Sequence, residues 1–316
     1  VFDHCFLSSS GVMAGENALK IAFQAKHPAN RVLAFERNFA GRTLAFSQIN
    51  GKAATRSGLP DCFPVDRVPY FDPVDPEGST QAALRALESS VAAHPGRHAA
   101  MFFELVQGEG GFHVGAAEFF RRLMEFCQSR GIAVLADEVQ TFGRLKEPMA
   151  YQCFGLEDLV DIAWIGKASQ VCATLFKSSM APKPGLLGQT YTAASATIKG
   201  ALAIFSELAN GDYFGEEGKI QRLSAYAQEG LQRYARDTGR IEGPYGLGSM
   251  VAFTPFGGNG DRVNAFLSTL FENGVIALGA GSHPTRCRFL LPYPAIEEAH
   301  IDEALDITFR TLDSIH

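Results

Sequence analysis

The chain has 316 residues, 46% of them hydrophobic and 20% charged, with a mean hydropathy of zero. That leaves room for about two domains of roughly 150 residues each, and 25 Phe, 32 unperiodic Gly and 15 scattered Pro exclude a disordered, collagenous or rod-like chain. The net charge of −6 comes without a basic run, and no apolar run approaches the roughly 18 residues of a membrane helix, so no nucleic acid and no membrane is expected as a partner.

In chain order, residues 1–6 read as the interior of something longer rather than as a beginning, with no signal or transit peptide. A Ser/Gly loop at Ser8, Ser9, Ser10 and Gly11 then leads straight into an amphipathic helix. Brief, almost wholly apolar runs at 32–35, 100–106, 132–136 and 162–165 predict buried strands. Between the second and third of these, 116–130 predicts a helix that buries Phe119, Phe120, Leu123, Met124 and Cys127 and stops at Gly131. The strand, helix, strand rhythm implies an α/β fold with a mainly parallel sheet and helices on both faces, which collects ligands at the carboxyl ends of its strands. Beyond it, helices at 194–208 and 216–234, a strand at 250–254 and helices at 261–272 and 298–312 imply a smaller α+β unit. The boundary is set near residue 209, giving domains 1–209 and 210–316. Six cysteines without Cys-x-x-Cys spacing read as small buried hydrophobes in a reducing cytoplasm, with neither a disulfide framework nor a metal site.

Three segments could carry chemistry. The run at 132–136 ends in Asp137 and Glu138, so Asp137 stands where a parallel sheet presents ligand-binding groups and could hold the proton of a cationic ring nitrogen. The run at 162–165 ends in Gly166 and Lys167, where a partly desolvated lysine can form a Schiff base with an aldehyde. The loop before the first helix points the backbone N–H groups near Gly11 and Val12 at an anion, without the spacing of a P-loop. Each alone has a plainer reading: a solvated strand-end acid, a surface turn, a helix cap. Together and in this order they are the three protein groups that pyridoxal phosphate requires.

At the level of motifs the chain resembles a class III aminotransferase of the pyridoxal-phosphate fold type I. The likeness is collinear through Ser10-Gly11, Glu16-Asn-Ala-Leu-Lys20, Phe39-Ala-Gly-Arg-Thr43, Glu104-Leu-Val-Gln-Gly-Glu-Gly-Gly111, Asp137-Glu-Val-Gln-Thr141, Gly166-Lys167, Thr190 and Arg288-Phe-Leu-Leu-Pro292. It implies a seven-stranded large-domain sheet and pyridoxal 5′-phosphate as cofactor. Lys167 would carry the cofactor and shuttle a proton, and Asp137 would keep the ring nitrogen protonated. Phe39 and Val139 would enclose the ring, Gln140 would reach its hydroxyl, and Ser10, Gly11 and Val12 would take the phosphate. Glu104 would stand behind the ring. Thr190 would serve the phosphate of the neighbouring subunit, which implies a cytoplasmic homodimer with shared sites. The resemblance also gives Arg42 to a distal carboxylate and Arg288 to the α-carboxylate of 2-oxoglutarate or glutamate, with Glu109 masking Arg288 while an ω-amino acid donor is bound.

The chain departs from the family pattern at Met13, Gly15, Ala40, Leu105, Ala168-Ser169 and Thr192-Ala-Ala-Ser195, none of which is a group that does chemistry. Glu16-Asn-Ala-Leu-Lys20 and Gln170-Val-Cys172 are more similar to the lysine 6-aminotransferase and 4-aminobutyrate aminotransferase branch than to the acetylornithine branch. Rival readings are an aminomutase or racemase of the same fold and a non-catalytic ligand-binding relative. A nucleotide-dependent dehydrogenase is disfavoured because no Gly-x-Gly-x-x-Gly follows a strand. Because Val1 stands so close before the phosphate loop, the resemblance also implies an N-terminal arm upstream, mobile in an open state, that completes the small domain and the dimer contact.

Overall fold

The computed structural model describes residues 2–315, which form two compact units. The first comprises the chain up to Leu105, Gly115–Gly143 and Met149–Asn210. Its seven-stranded sheet is built from β1 (His4–Ser8), β2 (Arg31–Phe35), β3 (Val65–Val68), β4 (His98–Phe103), β5 (Ala133–Glu138), β6 (Ile162–Ile165) and β7 (Cys172–Phe176), in the order β1-β7-β6-β5-β4-β2-β3. Neighbours from β3 to β6 are parallel, and β7 pairs antiparallel with both β6 and β1. The mostly parallel sheet matches the sequence reading, and β6 has the predicted bounds. The apolar run at 100–106 is cut short, because β4 ends at Phe103 and residues 106–107 instead pair with 113–114 in the second unit. β1, β3 and β7 carry no long apolar run and are additions to the sequence reading.

Helices cover both faces because successive side chains on a strand point opposite ways. On one face α1 (Gly11–Ala25) buries Ala14, Ala18, Ile21 and Ala22 against Phe102 and Trp164. On the other, Phe119 and Phe120 of α4 (Ala117–Ser129), which follows α2 (Leu44–Ile49) and α3 (Pro76–Ala93), meet Phe35, whose ring lies 5.8 Å from that of Phe119. Each fully buried Phe in this layer contributes about 1.5–3 kcal/mol of transfer free energy. α5 (Ser195–Asn210) closes the unit with only Ala201 and Leu208 buried.

The second unit comprises Val106–Val114, Arg144–Pro148 and the chain from Gly211 onward, so it includes two segments that a division at 209 leaves with the first. Its antiparallel sheet has the order β8-β9-β11-β10, with β8 (Ile241–Leu247), β9 (Met250–Pro255), β10 (Leu278–Ala280) and β11 (Arg286–Leu290). The helices α6 (Lys219–Thr238), α7 (Gly260–Glu272) and α8 (Glu298–Ser314) belong to this unit. α7 starts at Asn259, whose side chain accepts from Arg262 N at 3.1 Å, and buries Phe266 beside Phe253 of β9. Among the described residues no helix is long and apolar enough to cross a membrane, and no group of three or more His, Cys, Asp or Glu could hold a metal ion. Cys127, Cys172 and Cys287 are buried as small hydrophobes, whereas Cys5 and Cys62 are exposed, against the expectation that all six would be buried.

Candidate active site

The start of α1 and the carboxyl ends of β5 and β6 come together without room to spare. A Cβ on Gly11 would lie 3.0 Å from Val139 Cγ2, and one on Gly166 would lie 3.3 Å from Val139 Cγ1 and 3.4 Å from Gly11 Cα. Ser10 caps the helix by accepting from Met13 N at 3.3 Å, and no acidic residue stands in the first turn. The amides of Gly11 and Val12 have no acceptor within the helix, so the positive end of α1 remains available to an anion.

Asp137 lies in register with Trp164 on the neighbouring strand and accepts from Val139 N at 2.9 Å. Burial pushes its carboxyl up to about 7, opposed by the Val139 amide, the charge of Lys167 and the Trp164 indole. A cation placed on this half-buried acid would return it to the charged form. Lys167 follows β6, exposed, on a 3-10 turn at φ 52. A lysine in the left-handed region is a local strain of the kind that concentrates at functional sites.

A second layer fixes the loop after β2. Glu104, buried at the end of β4, accepts from Phe39 N at 3.0 Å. Asn50 accepts from Ala40 N and donates to Gly41 O, both at 2.8 Å, and so holds the backbone on either side of the Ala40–Gly41 bond. Arg56 and Arg67 donate in turn to Asn50 O, at 2.8 and 2.9 Å. A Cβ on Gly41 would overlap Val12, which places this loop against the start of α1. The Arg42 guanidinium is exposed and lies 5.7 Å from the centre of the Phe39 ring, while Thr43 hydrogen-bonds Glu16.

Beneath Asp137, Glu138 is fully buried and also pushed up to about 7 by burial. It accepts from Ala150 N at 2.9 Å, from Tyr151 N at 3.1 Å and from the Thr141 hydroxyl, so it ties the strand end to the turn at Ala150–Cys153.

The structure therefore brings Ser10, Gly11, Val12, Phe39, Glu104, Asp137, Val139 and Lys167 into one connected region of the first unit, with Gln140 buried next in the chain. Thr190 is exposed in the irregular stretch before α5. Glu109 and Arg288 meet in the second unit, where Arg288 Nη2 lies 2.5 Å from Glu109 Oε1 and the Arg288 guanidinium lies 5.5 Å from the centre of the Phe112 ring. Asn50 was invisible in the sequence, since nothing in its neighbours marks a side chain that closes a loop ten residues back. Glu138 stood in the Asp-Glu dipeptide, and its burial follows from the strand's alternation once Asp137 is set in the mouth.

The model of the aminotransferase class-III family matches residues 1–312. The chain is 31% identical to 5-aminovalerate aminotransferase DavT of Pseudomonas aeruginosa over 98% of its own length and 75% of that protein's. It is 30% identical to 4-aminobutyrate aminotransferase GabT of Escherichia coli over 97% and 74%. Among solved structures it is similar to the lysine aminotransferase of M. tuberculosis in the internal aldimine form, with a TM-score of 0.87, 25% identity, and coverage of 100% of this chain and 76% of that one.

Proposed function

This chain belongs to the class III aminotransferases, whose cofactor is pyridoxal phosphate, and from that premise we propose that it moves the terminal amino group of an ω-amino acid to 2-oxoglutarate, as a homodimer in the cytoplasm. The observation that carries the reading is the Glu109–Arg288 ion pair. A buried arginine covered by a movable carboxylate lets one protein take a substrate with a single carboxylate and then one with two. The relatives named for 5-aminovalerate and 4-aminobutyrate support a donor whose amine stands far from its carboxylate.

The residues of the first unit fit the cofactor. Gly11 and Val12 offer amides to its phosphate, with Ser10 capping the helix behind them, and Asp137 has the raised proton affinity that a protonated ring nitrogen would reverse. When bound, the cofactor supplies an aldehyde for amine exchange and an electron-withdrawing ring. Lys167 would anchor it through its amine and move the proton at the substrate carbon. Phe39 and Val139 would hold the ring between them and exclude water, Gln140 would donate to its hydroxyl, and Glu104 would keep Phe39 in place through the amide it accepts from. Thr190 would give its hydroxyl to the phosphate of the partner subunit. Arg42 would take a distal carboxylate, and Arg288 the α-carboxylate of the acceptor once Glu109 withdraws. On this reading 1–209 is the cofactor-binding domain and 210–316 the smaller one. Six free cysteines suit a reducing compartment.

Lysine, ornithine, acetylornithine, 5-aminovalerate and 4-aminobutyrate, each offered with 2-oxoglutarate, test the proposal by the glutamate formed. Glutamate is expected from at least one donor and only when the keto acid is present. Conversion of a donor without the keto acid would replace the proposal with an aminomutase or racemase, and no cofactor uptake at all would replace it with a ligand-binding relative.

A further inference from the structure

The turn that carries Glu109 is held by a residue to which the proposed reaction gives no part. Arg286 and Arg288 stand two positions apart on β11 and so share one face of the strand, both buried. Arg288 meets Glu109, whereas Arg286 lies over Tyr245 of β8 with its guanidinium carbon 3.5 Å from the ring centre, and its Nη1 donates to Gly111 O. That carbonyl closes the four-residue turn Gly108–Gly111.

The turn needs such support. Gly111 has φ 123 and Phe112 φ 55, so two consecutive residues occupy backbone regions that a chain of L-residues does not favour. Hydrogen bonds compensate: Gly281 N donates to Glu109 O at 2.9 Å and Phe112 N to Gln107 O at 2.8 Å, and Arg286 adds the third. The backbone of Glu109 is thus fixed from the second unit's own sheet while its side chain remains 35% exposed, against 6% for Arg288. Rotation of the Glu109 side chain can uncover the arginine without moving the turn.

We propose that Arg286 is a positioning residue that sets substrate choice, by holding the Glu109 turn where its carboxylate covers Arg288. A substrate with two carboxylates must then displace Glu109, and a donor with one leaves the pair closed. The inference rests on the reading that Arg288 receives the acceptor's carboxylate. The planar guanidinium is needed for both contacts at once, one face on the Tyr245 ring and one N–H on the Gly111 carbonyl, which lysine cannot reproduce.

Glutarate, a dicarboxylate with neither amine nor keto group, separates this from a structural role. Its binding to the cofactor-loaded protein is measured by calorimetry beside donor kinetics in Arg286→Met, Arg286→Lys and Tyr245→Leu. Loosening the turn is expected to tighten glutarate by about three- to ten-fold in Arg286→Met and to raise the donor's KM by a similar factor while kcat stays within about two-fold. Arg286→Lys should fall on the side of Arg286→Met, and adding Arg286→Met to Glu109→Gln should change glutarate affinity no further. Should Arg286→Met not fold, Tyr245→Leu, which removes only the stacking face, carries the same comparison. A lowered Tm with glutarate affinity and donor KM as in the wild type would overturn the proposal while leaving the Arg288 reading intact. A wild type that binds no glutarate although it takes up cofactor would remove the Arg288 reading and this inference with it.

Discussion

Two carboxylates, one in each unit, are held in opposite ways. Asp137 sits half-buried at the end of β5, receives a hydrogen bond from its own loop and is pushed up to about 7 by burial. Glu109 stands on a short turn of the second unit and already holds its cation, the buried Arg288. The first arrangement is one in which a bound cation supplies what the protein leaves out, so it suits a resident group. The second is complete in itself, and on the proposed function it opens only when a substrate anion displaces the acid, which would suit substrates that come and go. The difference ties permanence of binding to whether the protein's own charges are complete before the ligand arrives.

Removing the group nearest the chemistry should have the largest effect. Lys167→Ala is expected to lower turnover by about 10³-fold or more and to abolish the visible absorbance of the reconstituted protein. Protein that kept both would end the assignment of Lys167. Asp137→Asn preserves shape and removes the charge that a ring cation would meet, so kcat should fall by about 10²- to 10³-fold, with cofactor retained at saturating concentration. An Asp137→Asn variant with unchanged kcat would show that the raised acid serves the fold alone.

Glu138 tests the neighbouring acid, whose role is structural on the geometry. Glu138→Ala leaves the Ala150 and Tyr151 amides and the Thr141 hydroxyl without the acceptor they share, which should cost about 2–4 kcal/mol of stability. Glu138→Gln keeps one acceptor oxygen and should lose less. Denaturant unfolding checks both, and an alanine variant as stable as the wild type would contradict the assignment.

The contrast also explains what could be read ahead of the structure. Asp137 and Lys167 were legible because each ends an apolar run, and such an interruption marks the carboxyl end of a buried parallel strand. β3 was not, because half of its four residues are charged: Asp66 pairs with Arg31 at 2.7 Å, and Arg67 donates to the carbonyls of Gln48 and Asn50. Asn50 and Arg286 act on backbone atoms 9 and 175 residues away in the chain, and no local pattern encodes such a partner. The same holds for Glu109 and Arg288, separated by 179 positions, which only the family resemblance placed together. The division at 209 was contiguous because a sequence is, while the second unit takes in Val106–Val114 through their pairing with each other and their contacts to its own sheet.

The smallest effect expected concerns the cofactor-free protein and pH. An acid whose carboxyl is raised from 3.8 to about 7 binds its proton more tightly folded than unfolded, so the folded state gains from protonation. Asp137 therefore contributes stability that is fully present near pH 4 and is lost as pH rises through about 7. Glu138 adds a slope of the same sign, since burial raises it in the same direction. Thermal unfolding of the cofactor-free wild type should accordingly show a stability that declines between those limits, and Asp137→Asn should remove part of the decline while leaving the share due to Glu138. Binding of the cofactor should flatten the remaining Asp137 share, because a ring cation favours the charged carboxylate and brings its folded proton affinity back toward the unfolded one. A decline that persisted in full in Asp137→Asn would end the assignment of this proton to Asp137.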